Sequence, residues 1–175
     1  KGQIGKILVV PILGFTTLGD FALSLQIFSV LIMFSGISYK YLLPQDSTGI
    51  RNFQFKKIII LISVLISFVG IFLTPLVLPT IFPKYVGVVD SIQILSLAIV
   101  PVTISLILTS QLLGSEKSRV VLIGESMAFT IIVIGILILG PLLEIKGIAI
   151  SYVLAFTLQT IFLLIFRKKK WEKEK

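Results

Sequence analysis

Six side chains set inside long apolar runs are the ones with chemistry to offer: Gln26, Lys40, Gln93, Gln111, Glu125 and Gln159. Long amides within hydrocarbon either hydrogen-bond a neighbouring helix or line a hydrated cavity for a polar cargo. Glu125, some five residues into an apolar run, has two readings. It is a proton- or cation-sensitive carboxylate facing a cavity, or an acid reaching the interface and pairing with Lys117 or Arg119. Lys40 either meets a phosphate or extends its ammonium to the membrane surface. The chain has neither His nor Cys, which removes His-based catalysis, zinc sites and disulfide frameworks. Paired carboxylates, a Gly-rich phosphate loop and a nucleophile–base pair are also missing. The sequence implies no enzyme, no metal and no cofactor.

The segments that must position these residues are unusually oily. Of 175 residues, 56% are hydrophobic and only 14% charged, with a mean hydropathy of +1.10. A soluble domain carries roughly a quarter charged residues, so a water-soluble monomer and a disordered chain are both excluded. Five runs lack any Asp, Glu, Lys or Arg: Phe21–Tyr39, Ile58–Pro83, Ser91–Ser115, Ser126–Leu143 and Gly147–Phe166. A helix needs about 20 apolar residues to cross the hydrocarbon layer. The fourth run is short, but reaching back through Glu125 to Val120 completes it. Barrel strands would alternate over about 10 residues, and these runs are continuous. The predicted architecture is an all-α membrane protein, a polytopic bundle of five full spans plus a partial one at the N-terminus.

The net charge of +8 does not indicate nucleic acid, because half of it sits in the last nine residues, 167–175, directly after an apolar run. With strict alternation, Arg51, Lys56, Lys57, Lys117, Arg119 and the six bases of the tail fall on one side. Lys1, Lys6, Lys84 and Lys146 fall on the other. That asymmetry predicts five crossings of a cell membrane with a cytoplasmic C-terminus. Tyr39, Tyr41, Tyr85 and Trp171 suit the interfacial belts. Residues 1–19 read as the end of a truncated upstream helix and an outer loop, 20–166 as the bundle and 167–175 as a basic tail.

Polar residues align along each span at 100° per residue. Span one aligns Gln26, Ser29, Gly36 and Lys40; span two, Ser63, Ser67, Gly70 and Thr74. Span three aligns Gln93, Ser96, Thr103, Ser110 and Gln111; span five, Ser151, Tyr152, Ala155 and Gln159. All four faces are expected to turn into the bundle. Pro101 should bend span three and free the carbonyl of Leu97. Pro75 and Pro79 should distort the outer end of span two. Asp20 and Asp90 should cap the starts of spans one and three.

Four local patterns resemble the C-terminal part of polysaccharide and O-antigen export flippases, of the multidrug, oligosaccharidyl-lipid and polysaccharide exporter superfamily. Leu18-Gly19-Asp20-Phe21-Ala22-Leu23 resembles the family's "LG-x-(Y/F)-A-L" start of a helix. Leu42-Leu43-Pro44-Gln45-Asp46-Ser47 resembles its "LP-x-x-S" exit into a cytoplasmic loop. Ile81-Phe82-Pro83-Lys84-Tyr85, followed by Ile92-Gln93-Ile94-Leu95, resembles "lfG-x-x-Y … l-x-iL" with Pro83 in place of Gly. Gly147-Ile148-Ala149-Ile150-Ser151 resembles the turn into the last helix. The resemblance implies one half of a twelve-helix exporter, two bundles around a cavity that opens alternately to either side. It implies a lipid-linked oligosaccharide as cargo, its polyprenyl tail left in the membrane lipids. The missing N-terminal bundle or a second chain would close the cavity, and Lys40 is the cation deep enough to meet the cargo's pyrophosphate. A small-molecule or multidrug exporter of the same fold and a non-transporting scaffold of a glycan-assembly complex are the alternative readings. For the orientation, a reporter fused after Lys175 should be active only on the cytoplasmic side; activity outside reverses the topology.

Overall fold

A computed structural model describes the backbone of residues 2–49 and 52–168 and the side chains of 19–49 and 52–167. All its regular structure is helical, with no strand among the described residues. The elements are α1 (Gly2–Ser47), α2 (Phe53–Ile81), a short 3-10 segment (Pro83–Val88), α3 (Val89–Leu97), α4 (Ile99–Gly114) and α5 (Ser118–Lys168). Four helical stretches among the described residues are long and apolar enough to cross a membrane: Gly19–Ser47, Phe53–Ile81, Pro83–Gly114 and Ser118–Arg167. The chain is an all-helical protein with the composition and helix lengths of a membrane protein.

α1 is helical through Gly19 and Asp20, where the sequence suggested a loop. Nothing in Thr16-Thr17-Leu18-Gly19 terminates a helix strongly enough to stop one already propagating. Asp20 therefore lies inside α1 and caps nothing; its carbonyl accepts the Ser24 hydroxyl at 3.0 Å. Asp90 does sit in the first turn of α3, the helix start expected of it, but makes no capping hydrogen bond. The residue before α3 is Val88, with no side-chain cap, and the Asp90 carboxylate instead pairs with Lys146 at 2.6 Å. The basic tail beyond Lys168, including Trp171, lies outside the described residues.

α2 stays helical through both of its prolines. Near Pro101 the helix is interrupted at Ala98, between α3 and α4. There the N–H of Ala98 bonds the carbonyl of Leu95 at 2.9 Å, a tighter three-residue closure. Pro101 becomes the third residue of α4, in the first turn, where a missing N–H costs nothing.

α5 reverses at Glu144 (φ 50°, ψ −129°). Its arms return antiparallel: Gly135 lies against Ser151, Gly124 against Leu163 and Gly147 against the carbonyl of Leu139. Glycine at these three places lets the arms approach closely. The core then fills between helices. Phe21, Leu25 and Phe28 of α1 meet Leu95, Ala98 and Ile99 at the α3–α4 break, and Ile132, Ile136, Ile148 and Tyr152 of α5.

The left-handed φ of Glu144 suits glycine rather than a β-carbon. Glu144→Gly should raise the thermal midpoint in detergent, by up to about 1 kcal/mol of stability. Gly135→Leu should lower it by about 1–3 kcal/mol, because the Ser151 side chain already occupies that space. Equal midpoints for the two variants would be inconsistent with the hairpin.

Candidate functional site

Three of the four polar faces turn inward as expected. Ser63, Ser67 and Gly70 of α2 are buried, as are Ser96, Thr103 and Ser110 of α3–α4 and Ser151, Tyr152, Ala155 and Gln159 of α5. They form a set of helix-to-helix bonds. Ser67 donates to the carbonyl of Ser96 at 2.8 Å, and Gly70 makes room for that contact, since any β-carbon there would overlap the Ser96 hydroxyl. Ser35 and Thr103 bond at 2.7 Å. Thr160 donates to the carbonyl of Pro101 at 2.7 Å.

Gln93 has a specific place in this set. Pro75 has no N–H to offer the carbonyl of Ile71, one turn earlier. The Gln93 side-chain amide donates to that carbonyl at 2.8 Å. Gln93 thus repairs the ladder of the neighbouring helix. Gln111 is half-buried near the end of α4, where its backbone carbonyl accepts from Ser115 at 2.8 Å.

Of the six candidate residues, the structure brings together Glu125 and Gln159. The Gln159 amide, 1% exposed, donates to Glu125 Oε1 at 2.8 Å across the two arms of α5. A charge-assisted bond to a buried amide is one of the stronger arrangements open to a carboxylate in such surroundings. The sequence read both residues as polar but did not pair them. The antiparallel return of α5 puts them on one level.

The face of span one behaves differently. Gln26, Ser29 and Lys40 are exposed on the outside of the bundle, with Gly36 half-buried between them. This corrects the expectation that it points inward. Ser29 satisfies its hydroxyl on its own helix, donating to the Leu25 carbonyl at 2.7 Å. The opposite side of α1 holds Phe21, Leu25 and Phe28 against the core, so the three polar residues share the outward surface of the helix with Val30, Met33 and Ile37.

A buried ion pair escaped the sequence reading. Lys56 at the start of α2 bonds Asp46 Oδ1 at 2.5 Å, with side chains 7% and 4% exposed. Ser110 of α4 donates to the other carboxylate oxygen, Oδ2, at 2.6 Å. Gly114 lies against the Asp46 backbone, where a β-carbon would come within 2.5 Å of its carbonyl oxygen. The end of α1, the start of α2 and the end of α4 are tied at one point. The signal was an acid and a base of opposite sign flanking a short loop, Asp46 and Lys56; only the fold adds Ser110. At the opposite end of the bundle, Asp90 and Lys146 form a pair that is more than half exposed.

No family model, no curated protein and no solved structure matches the chain.

Asp46→Ala should cost about 3–5 kcal/mol, because it leaves the Lys56 ammonium buried and unpaired. Asp90→Ala at the exposed pair should cost less than about 1 kcal/mol. Chemical or thermal unfolding in detergent measures both. Similar losses at the two sites would mean that water reaches Lys56.

Proposed function

We propose that this chain forms one wall of a membrane transporter that moves a lipid-linked oligosaccharide from the cytoplasmic to the outer leaflet by alternating access. The observation that carries this reading is the outward polar face of α1. Gln26, Ser29 and Lys40 stand exposed on a surface otherwise made of side chains such as Val30, Met33, Leu65 and Phe72. Amide groups are costly against lipid tails. A helix that turns them outward within a membrane is built to meet a second bundle or a wet cleft between bundles. Such a cleft removes most of the desolvation cost of a sugar–phosphate head, and rocking of the bundles about it moves the head between leaflets.

In this reading the membrane is crossed five times. α5 spans 51 residues, about 75 Å of helix at 1.5 Å per residue, more than twice the hydrocarbon thickness. Its fold-back at Glu144 makes it two crossings. The end of α1, the start of α2 and the α4–α5 turn, with Lys40, Lys56, Lys57, Lys117 and Arg119 among them, then face the cytoplasm, as does the C-terminal end of α5. The four sequence patterns that resemble polysaccharide export flippases favour lipid-linked sugar over a drug as cargo. The second wall is another bundle, on the same polypeptide or on a partner chain. Glu125, bonded to Gln159 and part-way into the membrane, is the carboxylate placed to couple cargo movement to a proton or cation.

Leaflet-specific labelling of lipid-linked glycan tests the reading in cells whose own copy of the gene carries the substitution. Gln26→Leu should trap glycan in the inner leaflet while protein level and thermal midpoint stay unchanged. Gln93→Leu, which breaks the bond to Ile71, should lower the midpoint as well. An unaltered leaflet distribution in cells lacking the gene altogether would rule out the flippase.

A further inference from the structure

We infer that the chain carries a site for an anionic phospholipid, with one acyl chain in a groove between α1 and α2 and the phosphate on Lys40. This rests on the membrane-spanning reading; it assigns Lys40, toward the loop end of α1, to a lipid head group and leaves Gln26 and Ser29 to the face that carries the transport reading. The two helices run antiparallel here and part enough to leave a cavity of about 370 Å³, within the range of small-molecule sites. Its walls are almost wholly carbon: Phe34, Ile37 and Tyr41 from α1, and Phe55, Ile58 and Ile62 from α2. Seven residues of helix separate Phe34 from Tyr41, about 10 Å. The groove has the length for a stretch of one hydrocarbon chain. Edge-on contact of Tyr41 with Phe55, centroids 5.1 Å apart, marks its end nearer the loop.

Charge selects the head group. Lys40 lies about 60° around α1 from the wall residue Ile37 and immediately before Tyr41. It is exposed and outside every ion pair found among the described residues. Lys56, the other lysine deep at this end, is already neutralised by Asp46. A phosphodiester at the interface would therefore meet the Lys40 ammonium while its chain runs along Ile37 and Phe34 toward the bilayer centre. The other acyl chain stays in bulk lipid. Basic residues beside the cytoplasmic leaflet attract anionic head groups in this way, and here an apolar seat adjoins the cation.

The chain reconstituted in phosphatidylcholine nanodiscs containing a minor fraction of phosphatidylglycerol provides the test. Native mass spectrometry after release counts the phosphatidylglycerol retained, with thermal midpoints as the folding control. Lys40→Gln should weaken retention about fivefold, the effect of one cation near an anionic head. Lys40→Arg should preserve it. Ser38→Phe, which fills the groove from a buried position on α1, should weaken it without changing the charge. Lys84→Gln, at an exposed lysine remote from the groove, should leave it unchanged. Equal retention of phosphatidylcholine and phosphatidylglycerol, or equal losses for Lys40→Gln and Lys84→Gln, would overturn the site. Loss of retention with normal glycan labelling would leave the transport reading standing, and the reverse result would leave the lipid site standing.

Discussion

Within hydrocarbon, a backbone carbonyl that loses its helical partner has no water to turn to, and the packing of this protein follows from that constraint. A chain this apolar gains little by hiding one oily face from lipid, since lipid is equally oily. What holds its helices in register is the pairing of the polar groups that remain. The contact between Pro75 and Gln93 is the clearest case. The proline withholds a proton from Ile71, and a glutamine on the next helix supplies it. Ser67 on Ser96 and Thr160 on Pro101 tie neighbouring helices to the α3–α4 break. Small residues then set how near the backbones come, with Gly70 beside Ser96 and Gly135 beside Ser151.

The helices themselves were legible because charge is so scarce. Asp, Glu, Lys and Arg punctuate the chain almost only where it turns, so charge-free runs located α2, the α3–α4 pair and the two arms of α5 to within a few residues. Pro101 marked the neighbourhood of the α3–α4 break, since a proline withholds its N–H whatever the packing. The course before Asp20 was misjudged, because a lone glycine and a carboxylate look like punctuation yet are weak against helix propagation.

The direction of the polar faces was only partly legible. A helical wheel shows that Gln26, Ser29 and Lys40 share a side, but not whether that side or the Phe21–Phe28 side meets the neighbours. In α1 the aromatic side wins the core. For Ser67 and Gln159 the same rule of thumb succeeded, because each found an acceptor across a helix contact, on α3 and on the facing arm of α5. The Glu125–Gln159 and Asp46–Ser110 bonds join residues far apart in sequence, and their partners depend on a reversal and on a helix order that no local pattern encodes.

The Asp46–Lys56–Ser110 cluster fastens three helix ends into a single clamp. Whatever bending the bundle undergoes cannot originate at that end without prising two charges apart in a dry setting. That end of the chain is therefore a rivet, and any rocking of the helices has to begin beyond it.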